Sequence, residues 1–379
     1  MELPFRTRTA DDPLRVLQIY PKGDFHTGAA IQLRDLARGL AARGHRILVV
    51  TRPSERWARE AAEAGFRHHG VFRSPADPLG AVRLARLIRA DGVQVVHAHK
   101  GGGRTLTLFA RLFGPCPPLV VNRGVTFRLS LGGRLVDTGP RVAAVVAVCE
   151  AIKRDLVAQG MPLHKVEVVY SGTDTRRFDP ARVQGDAIRH ELGLPAAAPL
   201  VTQVGVRETK GNDDVLRAFA RIRAARPDAR LLLVGARPEK RRPLETLIAT
   251  LGLADAVTVW PYRDDVPEIL AATDVSVDGS HVGHGITGAL RESLAMETPV
   301  VATDGAGNPE LVLHERTGLL VPSRNPAALA AGVLRLLGDP GFGAALGRAG
   351  RRWVCERFST EAKVQRLEGL YRRLAARPK

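Results

Sequence analysis

Apolar residues recur along the chain in two alternating patterns. Short continuous runs, LRVLQIY (14–20), RILVVT (46–51), VQVVHA (93–98), PLVVN (118–122) and AAVVAVC (143–149), read as buried strands. Between them, AIQLRDLARGLAARG and PLGAVRLARLIRADG carry apolar residues at helical spacing. Strands that are apolar throughout, with helices between them, point to a parallel sheet covered on both faces. The second half repeats the theme with PLVTQVG (199–205), ARLLLVG (229–235), AVTVW (256–260), DVSVD (274–278) and PVVAT (299–303). Between the halves, YSGTDTRRFDPARVQGD (170–186) is rich in Gly, Asp, Arg and Pro without apolar periodicity, and reads as a linker or hinge. The pattern predicts two doubly wound α/β domains facing each other. Ligands gather at the carboxyl ends of such strands, so the cleft between the domains is the expected site.

Composition supports this picture and adds one feature. A chain of 379 residues exceeds the usual size of a single core. No run of eighteen apolar residues is present, so no membrane-spanning helix is expected. The N-terminus, MELPFRTRTADDPLR, is polar and lacks the apolar core of a secretory signal. Cys116, Cys149 and Cys355 are widely separated and form no CxxC, which suits reduced cytosol. The formal net charge is +17. Residues 1–175 hold 26 Lys+Arg against 15 Asp+Glu, and residues 176–379 hold 30 against 24, so the first half is the more basic. Nucleic acid, an anionic membrane face or a phosphorylated substrate would each suit such a balance, as would an Arg-favouring composition with dispersed cations. Nucleic-acid binding would need clustered cations interleaved with aromatics, and aromatics are only 5%, so no nucleic-acid partner is expected.

Four stretches carry candidate chemistry. After the strand VTQVGV, Arg207-Glu208-Thr209-Lys210-Gly211 places two cations on a loop before a helix, an arrangement that suits a diphosphate. Near the start, GDFHTGAA (23–30) leads from a strand into a helix, where Gly28 lets the backbone approach a ligand. His97 and His99 close the third strand and are read as pointing to opposite faces. With no carboxylate close by, metal ligation is not expected, and His99 is the candidate for lining the cleft. In HVGHGITGALRE, small residues and Thr287 open a helix whose N–H groups can bind hydroxyls or phosphate, and Glu292 lies within reach of a ribose diol. No Asp-x-Asp occurs in the chain, so handling of a diphosphate by Arg, Lys and helix ends, without a metal or other cofactor, is expected.

Together these stretches resemble a family 4 retaining glycosyltransferase. HGITGALRESLAMETPVV fills the frame of the family's Glu-x7-Glu motif (EGFGLPLLEAMACGTPVV), and YSGTDTRRFDP is similar to NGVDTxRF. RETKG is similar to R-x-x-K-G, and WPYRDDVPEILAATDVSV to GYRDDVPELLAAADVFV. The resemblance covers nearly the whole chain. It implies the GT-B fold, two facing Rossmann-like doubly wound domains with an interdomain cleft. Residues 1–175 would bind the acceptor and 176–358 the nucleotide sugar, with a C-terminal helix (about 359–379) packed back on the first domain. The implied activity moves a sugar from a nucleotide diphosphate sugar to a saccharide or lipid-linked acceptor, with retention, in cell-envelope glycan synthesis.

The resemblance also implies roles. Arg207 and Lys210 would hold the diphosphate and stabilise the leaving group. The backbone of Gly285, Ile286, Thr287, Gly288 and Ala289 would hold the donor sugar and distal phosphate, Glu292 the ribose, and Tyr262 and Arg263 the base. Gly28 would approach the phosphate from the first domain. Two positions depart from the family: His284 stands where the first glutamate is usual, and Arg123 where many members have a histidine facing the reacting centre. A nucleotide-sugar epimerase of the same fold, or a non-catalytic sugar-nucleotide binder, are the alternatives. Arg83, Arg86 and Arg89, three apart on one predicted helix, make an anionic cytoplasmic membrane surface a further candidate partner for an otherwise cytoplasmic protein.

Overall fold

The structure is a computed structural model that describes residues 12–25, 27–125, 130–195, 197–281, 285–305 and 307–376. Its first sheet contains β1 (Arg15–Ile19), β2 (Arg46–Val50), β3 (Arg67–His69), β4 (Val95–Ala98), β5 (Leu119–Arg123), β6 (Val142–Ala147) and β7 (Val166–Val168). The second contains β8 (Leu200–Val204), β9 (Arg230–Val234), β10 (Val257–Trp260), β11 (Val275–Asp278), β12 (Val300–Thr303) and β13 (Leu319–Val321). The strand orders are β3-β2-β1-β4-β5-β6-β7 and β10-β9-β8-β11-β12-β13. Each pairing is parallel. Both orders reverse next to the first strand of the domain, the doubly wound arrangement in which ligands sit where the order switches.

Around the first sheet lie α1 (Gly28–Ala42), α2 (Glu55–Ala64), α3 (Pro78–Ala90), α4 (Gly101–Ala110), α5 (Leu131–Thr138) and α6 (Glu150–Ala158). The second is wrapped by α7 (Asp186–Glu191), α8 (Asn212–Ala225), α9 (Pro238–Thr250), α10 (Val266–Ala271), α11 (Gly288–Ala295), α12 (Asn308–Leu311), α13 (Pro326–Gly338) and α14 (Pro340–Arg357). The last helix, α15 (Thr360–Ala375), returns to the first domain.

The strands are apolar throughout because alternate residues serve different cores. In β1, Val16 joins the layer under α1, α2 and α15, whereas Leu17 and Ile19 join the layer under α3, α4 and α6. Helix α1 places Leu33, Leu36, Ala37 and Leu40 on one buried face, at the spacing that repeats every turn, and Thr27 Oγ1 caps its start by accepting from the Ala30 N–H. Each such leucine contributes about 1.5–3 kcal/mol by leaving water. Helix α3 buries Ala81, Leu84 and Ile88 and leaves Arg83, Arg86 and Arg89 in solvent. Among the described residues no single helix is long and apolar enough to cross a membrane.

Two chain segments cross between the domains and are bonded to each other. The linker after Tyr170 and the turn before α15 meet where Thr173 N–H donates to Phe358 O (2.8 Å) and Thr360 N–H donates to Thr173 O (2.9 Å). The Gln32 side chain of α1 exchanges hydrogen bonds with the Gly172 backbone in both directions, at 2.6 and 2.8 Å. Val364, Leu367, Leu370, Tyr371 and Leu374 of α15 complete the first core.

Candidate active site

The strand order of the second sheet switches between β8 and β11, and both strands end in groups that meet there. After β8 the chain passes Arg207, makes one 3-10 turn over Glu208–Lys210, and enters α8 through Gly211 at φ 60°. A side chain on Gly211 would need that left-handed backbone and would run into the Gly279 carbonyl, so glycine is required twice over. The loop is braced from inside. Gln203 Nε2 donates to Lys210 O (2.8 Å), Asn212 Nδ2 to Gln203 Oε1 (2.7 Å), and Arg207 N–H to Asn212 Oδ1 (3.1 Å).

Lys210 Nζ donates to Asp278 Oδ2 at 2.9 Å, from the end of β11. Asp278 is buried and also accepts from Ser280 N–H (3.0 Å) and Thr287 Oγ1 (3.2 Å). Burial pushes its carboxyl up, but the Lys210 charge and the hydrogen bonds from Ser280 and Lys210 outweigh this and hold it below the ordinary aspartate value. The Arg207 side chain is exposed and makes no hydrogen bond or ion pair with a described residue. One fixed and one uncommitted cation thus flank a helix start, a geometry that can hold two phosphates.

Thr287 precedes α11 as its N-cap, with no side-chain cap bond and no acid in the first turn, so Gly288 and Ala289 open a helix whose leading N–H groups lack a side-chain acceptor. Gly285 is buried against the first domain, where a Cβ would stand 2.7 Å from Val148 Cγ2. Ile286 packs against a core cluster of each domain. Glu292 is half-buried and forms no hydrogen bond with a described residue. Burial raises its carboxyl above the usual range, against the pull of Arg291, Arg177 and Lys210, with Asp35 of α1 adding to the rise. Asp35 therefore lies close enough across the cleft to affect it. Arg291 is buried and occupied, donating to Thr173 Oγ1 (3.2 Å) and Ile286 O (3.1 Å). His284 lies outside the described residues.

On the first domain, Gly28 is exposed, with nothing within 4 Å of where its Cβ would stand. The loop before it is fixed by Asp24 Oδ1, which accepts from Tyr20 (3.0 Å) and Thr27 (2.8 Å). Glu310 of α12 reaches across to the start of α6, where its carboxylate accepts from Glu150 N–H (2.7 Å) and Ala151 N–H (2.8 Å). The two domains therefore touch at their carboxyl edges.

Three expected site residues are engaged elsewhere. Residues two apart on a strand share a face, so the opposite-face reading of His97 and His99 is wrong: their ring centroids lie 4.3 Å apart, tilted by 30°. His99 is buried rather than presented to the cleft, with Nε2 2.6 Å from Gln18 Oε1, while His97 Nδ1 lies 2.6 Å from the Tyr371 hydroxyl of α15. Burial holds both imidazoles neutral, His97 down to about 3. Arg123 is buried and pairs with Asp137 of α5, which also takes Arg104 of α4 at 2.7 Å, instead of standing open to a reacting group. Arg263 stacks 4.4 Å from the Trp260 ring and pairs with Asp265 and with Glu191 (2.7 Å), and its neighbour Tyr262 is 58% exposed with its hydroxyl on Asp264 (3.0 Å). Asp278, Asp137 and Arg177, the last donating to Asp264 O and acting on Glu292, were not singled out in the sequence.

Likeness to known proteins in sequence and in structure agrees with this geometry. Residues 26–177 match the family described as Glycosyltransferase Family 4, and residues 198–339 match Glycosyl transferases group 1. The chain belongs to family 4 of the group 1 glycosyltransferases, and its class of enzyme is glycosyltransferase. It is similar to the D-inositol 3-phosphate glycosyltransferase of Acidothermus cellulolyticus, 30% identical over 91% of this chain and 85% of the relative. The Segniliparus rotundus protein of that name is 37% identical over 55% of this chain and 47% of its own length, so that match spans about half of the relative. In structure it is similar to a glycosyltransferase from Rickettsia africae, with TM-score 0.89, 18% identity, and 97% and 100% of the two chains covered. It is also similar to Anabaena Alr3699/HepE in complex with UDP-glucose, with TM-score 0.78, 20% identity, and 94% and 98% covered. These structural likenesses establish the two-domain GT-B fold.

Proposed function

We propose that the chain moves a sugar from a nucleotide diphosphate sugar to a saccharide or lipid-linked acceptor, with retention and without a divalent cation. The observation that carries this reading is the group formed by Arg207, Lys210, Asp278 and Thr287 at the β8/β11 switch point, beside the acid-free start of α11. Arg207 and Lys210 hold the diphosphate and take up the charge that builds on it as the sugar leaves. Gly285 to Ala289 carry the donor sugar and distal phosphate, and Glu292 accepts from the ribose hydroxyls. Tyr262 and Arg263 border the base, and Gly28 closes on the phosphate from the other domain. Residues 176–358 form the donor domain and 1–175 the acceptor domain. UDP-glucose in the HepE structure supports a nucleotide sugar as donor.

In the reaction, the acceptor hydroxyl attacks the anomeric carbon on the face from which the diphosphate departs. The carbon–oxygen bond to phosphate breaks, the new glycosidic bond forms, and the hydroxyl proton passes to the departing phosphate oxygen. No enzymic nucleophile is required. Metal-free handling is supported by the engagement of the buried Asp278 carboxylate with Lys210 and Thr287.

An acceptor with an acidic group is supported by the relatives named for inositol 3-phosphate. Exposed Arg83, Arg86 and Arg89 on α3, with Leu79 64% exposed at its start, support a peripheral seat on the inner leaflet, fitting synthesis of a lipopolysaccharide or exopolysaccharide. The test is product analysis with a labelled nucleotide sugar and cell-envelope acceptors. An α-linked glycoside from an α-linked donor supports the reading, whereas free epimerised nucleotide sugar with no glycoside would move the chain to the epimerases.

A further inference from the structure

A second basic site lies outside the cleft. Between α8 and α13 runs a groove of about 630 Å³, floored by Ala220, Ala224 and Leu251 and bordered by Arg217, Arg221 and Arg324. No carboxylate lines it. None of the three guanidinium groups makes a hydrogen bond or ion pair with a described residue. Elsewhere along and just after α8 the arginines are paired, Arg223 with Asp255 at 2.6 Å and Arg226 with Asp228 at 3.1 Å. Arg217 and Arg221 are four apart on one helix face, where like charges repel and cost stability unless something neutralises them. Arg324 turns into the groove from a left-handed backbone with φ 58°, a conformation that a side chain of this size adopts only at a cost. Three exposed cations thus border a groove whose lining holds no acid.

We propose that this groove is an anion site that takes a phosphate monoester or diphosphate group. Guanidinium forks match phosphate oxygens two at a time, and the alanine and leucine floor accommodates an apolar or sugar portion attached to the phosphate. The site is distinct from the donor clamp: Arg221 lies about 14 Å along α8 from Asn212, where the clamp loop ends. A soluble phosphorylated sugar and an anionic lipid headgroup share this chemistry.

Calorimetric titration of the full chain with inorganic pyrophosphate tests the proposal. Two sites are expected in the wild type. The Arg217→Ala/Arg221→Ala double variant should lose one of them, weakened at least tenfold, and keep the other, which Lys210→Ala should remove. Both arginines are exposed and alanine is a strong helix former, so the double variant should fold. Arg217→Lys/Arg221→Lys keeps the charge without the fork and should weaken the same site several-fold. Pyrophosphate binding, at one site or two, that the double variant leaves undisturbed would overturn the proposal. A single site that the double variant loses and Lys210→Ala leaves intact would count against the donor clamp and leave the groove standing. Vesicles with and without phosphatidate then separate the sources. Phosphatidate binding that the double variant loses assigns a lipid headgroup, and equal vesicle binding by both proteins beside a groove pyrophosphate site present in the wild type alone assigns a soluble phosphate.

Discussion

Lys210 Nζ stands 2.9 Å from Asp278 Oδ2, and this pair ties the loop after β8 to the end of β11 at the switch point of the second sheet. Asp278 sets the position of Lys210 and, through its bond to Thr287, the start of α11.

Asp278→Asn should therefore act through Lys210 and Thr287 rather than by touching the ligand. Nucleoside diphosphate affinity should fall about tenfold, roughly 1.4 kcal/mol. The loss should not add to that of Lys210→Ala, because both changes remove one unit. Urea unfolding should show Asp278→Ala losing about 1.5–3 kcal/mol, the range for hydrogen bonds to charged groups. Additive binding losses in the double variant would show that the pair does not act together.

Glu292 gives a pH signature. Its carboxyl is raised by burial, and its ionised form is the one that would accept ribose hydroxyls in the proposed site. Donor affinity should fall as pH drops toward that raised value, at a pH where an exposed glutamate would still be ionised. Glu292→Gln should bind more weakly and flatten this acid limb in titrations from pH 5 to 8. Stability has the opposite sign. The folded state keeps the proton to higher pH than the unfolded chain, so this group's contribution is full below the unfolded value and is lost as pH rises through the folded one.

The five longest strands of each half were legible because each is an apolar run serving two cores. The three missed strands, β3 (RHH), β7 (VEV) and β13 (LLV), are three-residue edge strands too short to show a period. Arg207 and Lys210 were legible as a pair because they sit in one loop. Asp278 was not: it is a lone acid in a turn, and its partner is 68 residues away. The Gln18–Tyr371 bond spans 353 residues, and no local pattern could pair His97 with α15. Arg123 was legible as a departure, but its partner Asp137 lay in an unremarkable short helix.

Turnover should survive chelation. The expected result is unchanged activity in EDTA, with no more than a small response to added Mg²⁺ or Mn²⁺. Abolition by EDTA and rescue by either ion would require a metal in place of the Arg207 and Lys210 clamp.

The proposed membrane seat rests on α3. Each exposed arginine near an anionic surface is worth about 1 kcal/mol. Sedimentation with anionic vesicles at low salt should be reduced in an Arg83→Ala/Arg86→Ala/Arg89→Ala variant and abolished by high salt. Equal, negligible sedimentation with anionic and neutral vesicles would leave those arginines as a solvated helix face.

The most direct measurement of the central claim is a thermal-stability screen of the wild type, Arg207→Ala and Lys210→Ala against UDP-, GDP- and ADP-sugars. A ligand at one hundred times its dissociation constant adds about 2.7 kcal/mol to the folded state. The account predicts that at least one nucleotide sugar stabilises the wild type by about this much, and that either substitution removes about 1.5–3 kcal/mol of binding. Stabilisation by a nucleotide sugar that persists undiminished in both variants, or none by any of the three donors, would contradict it.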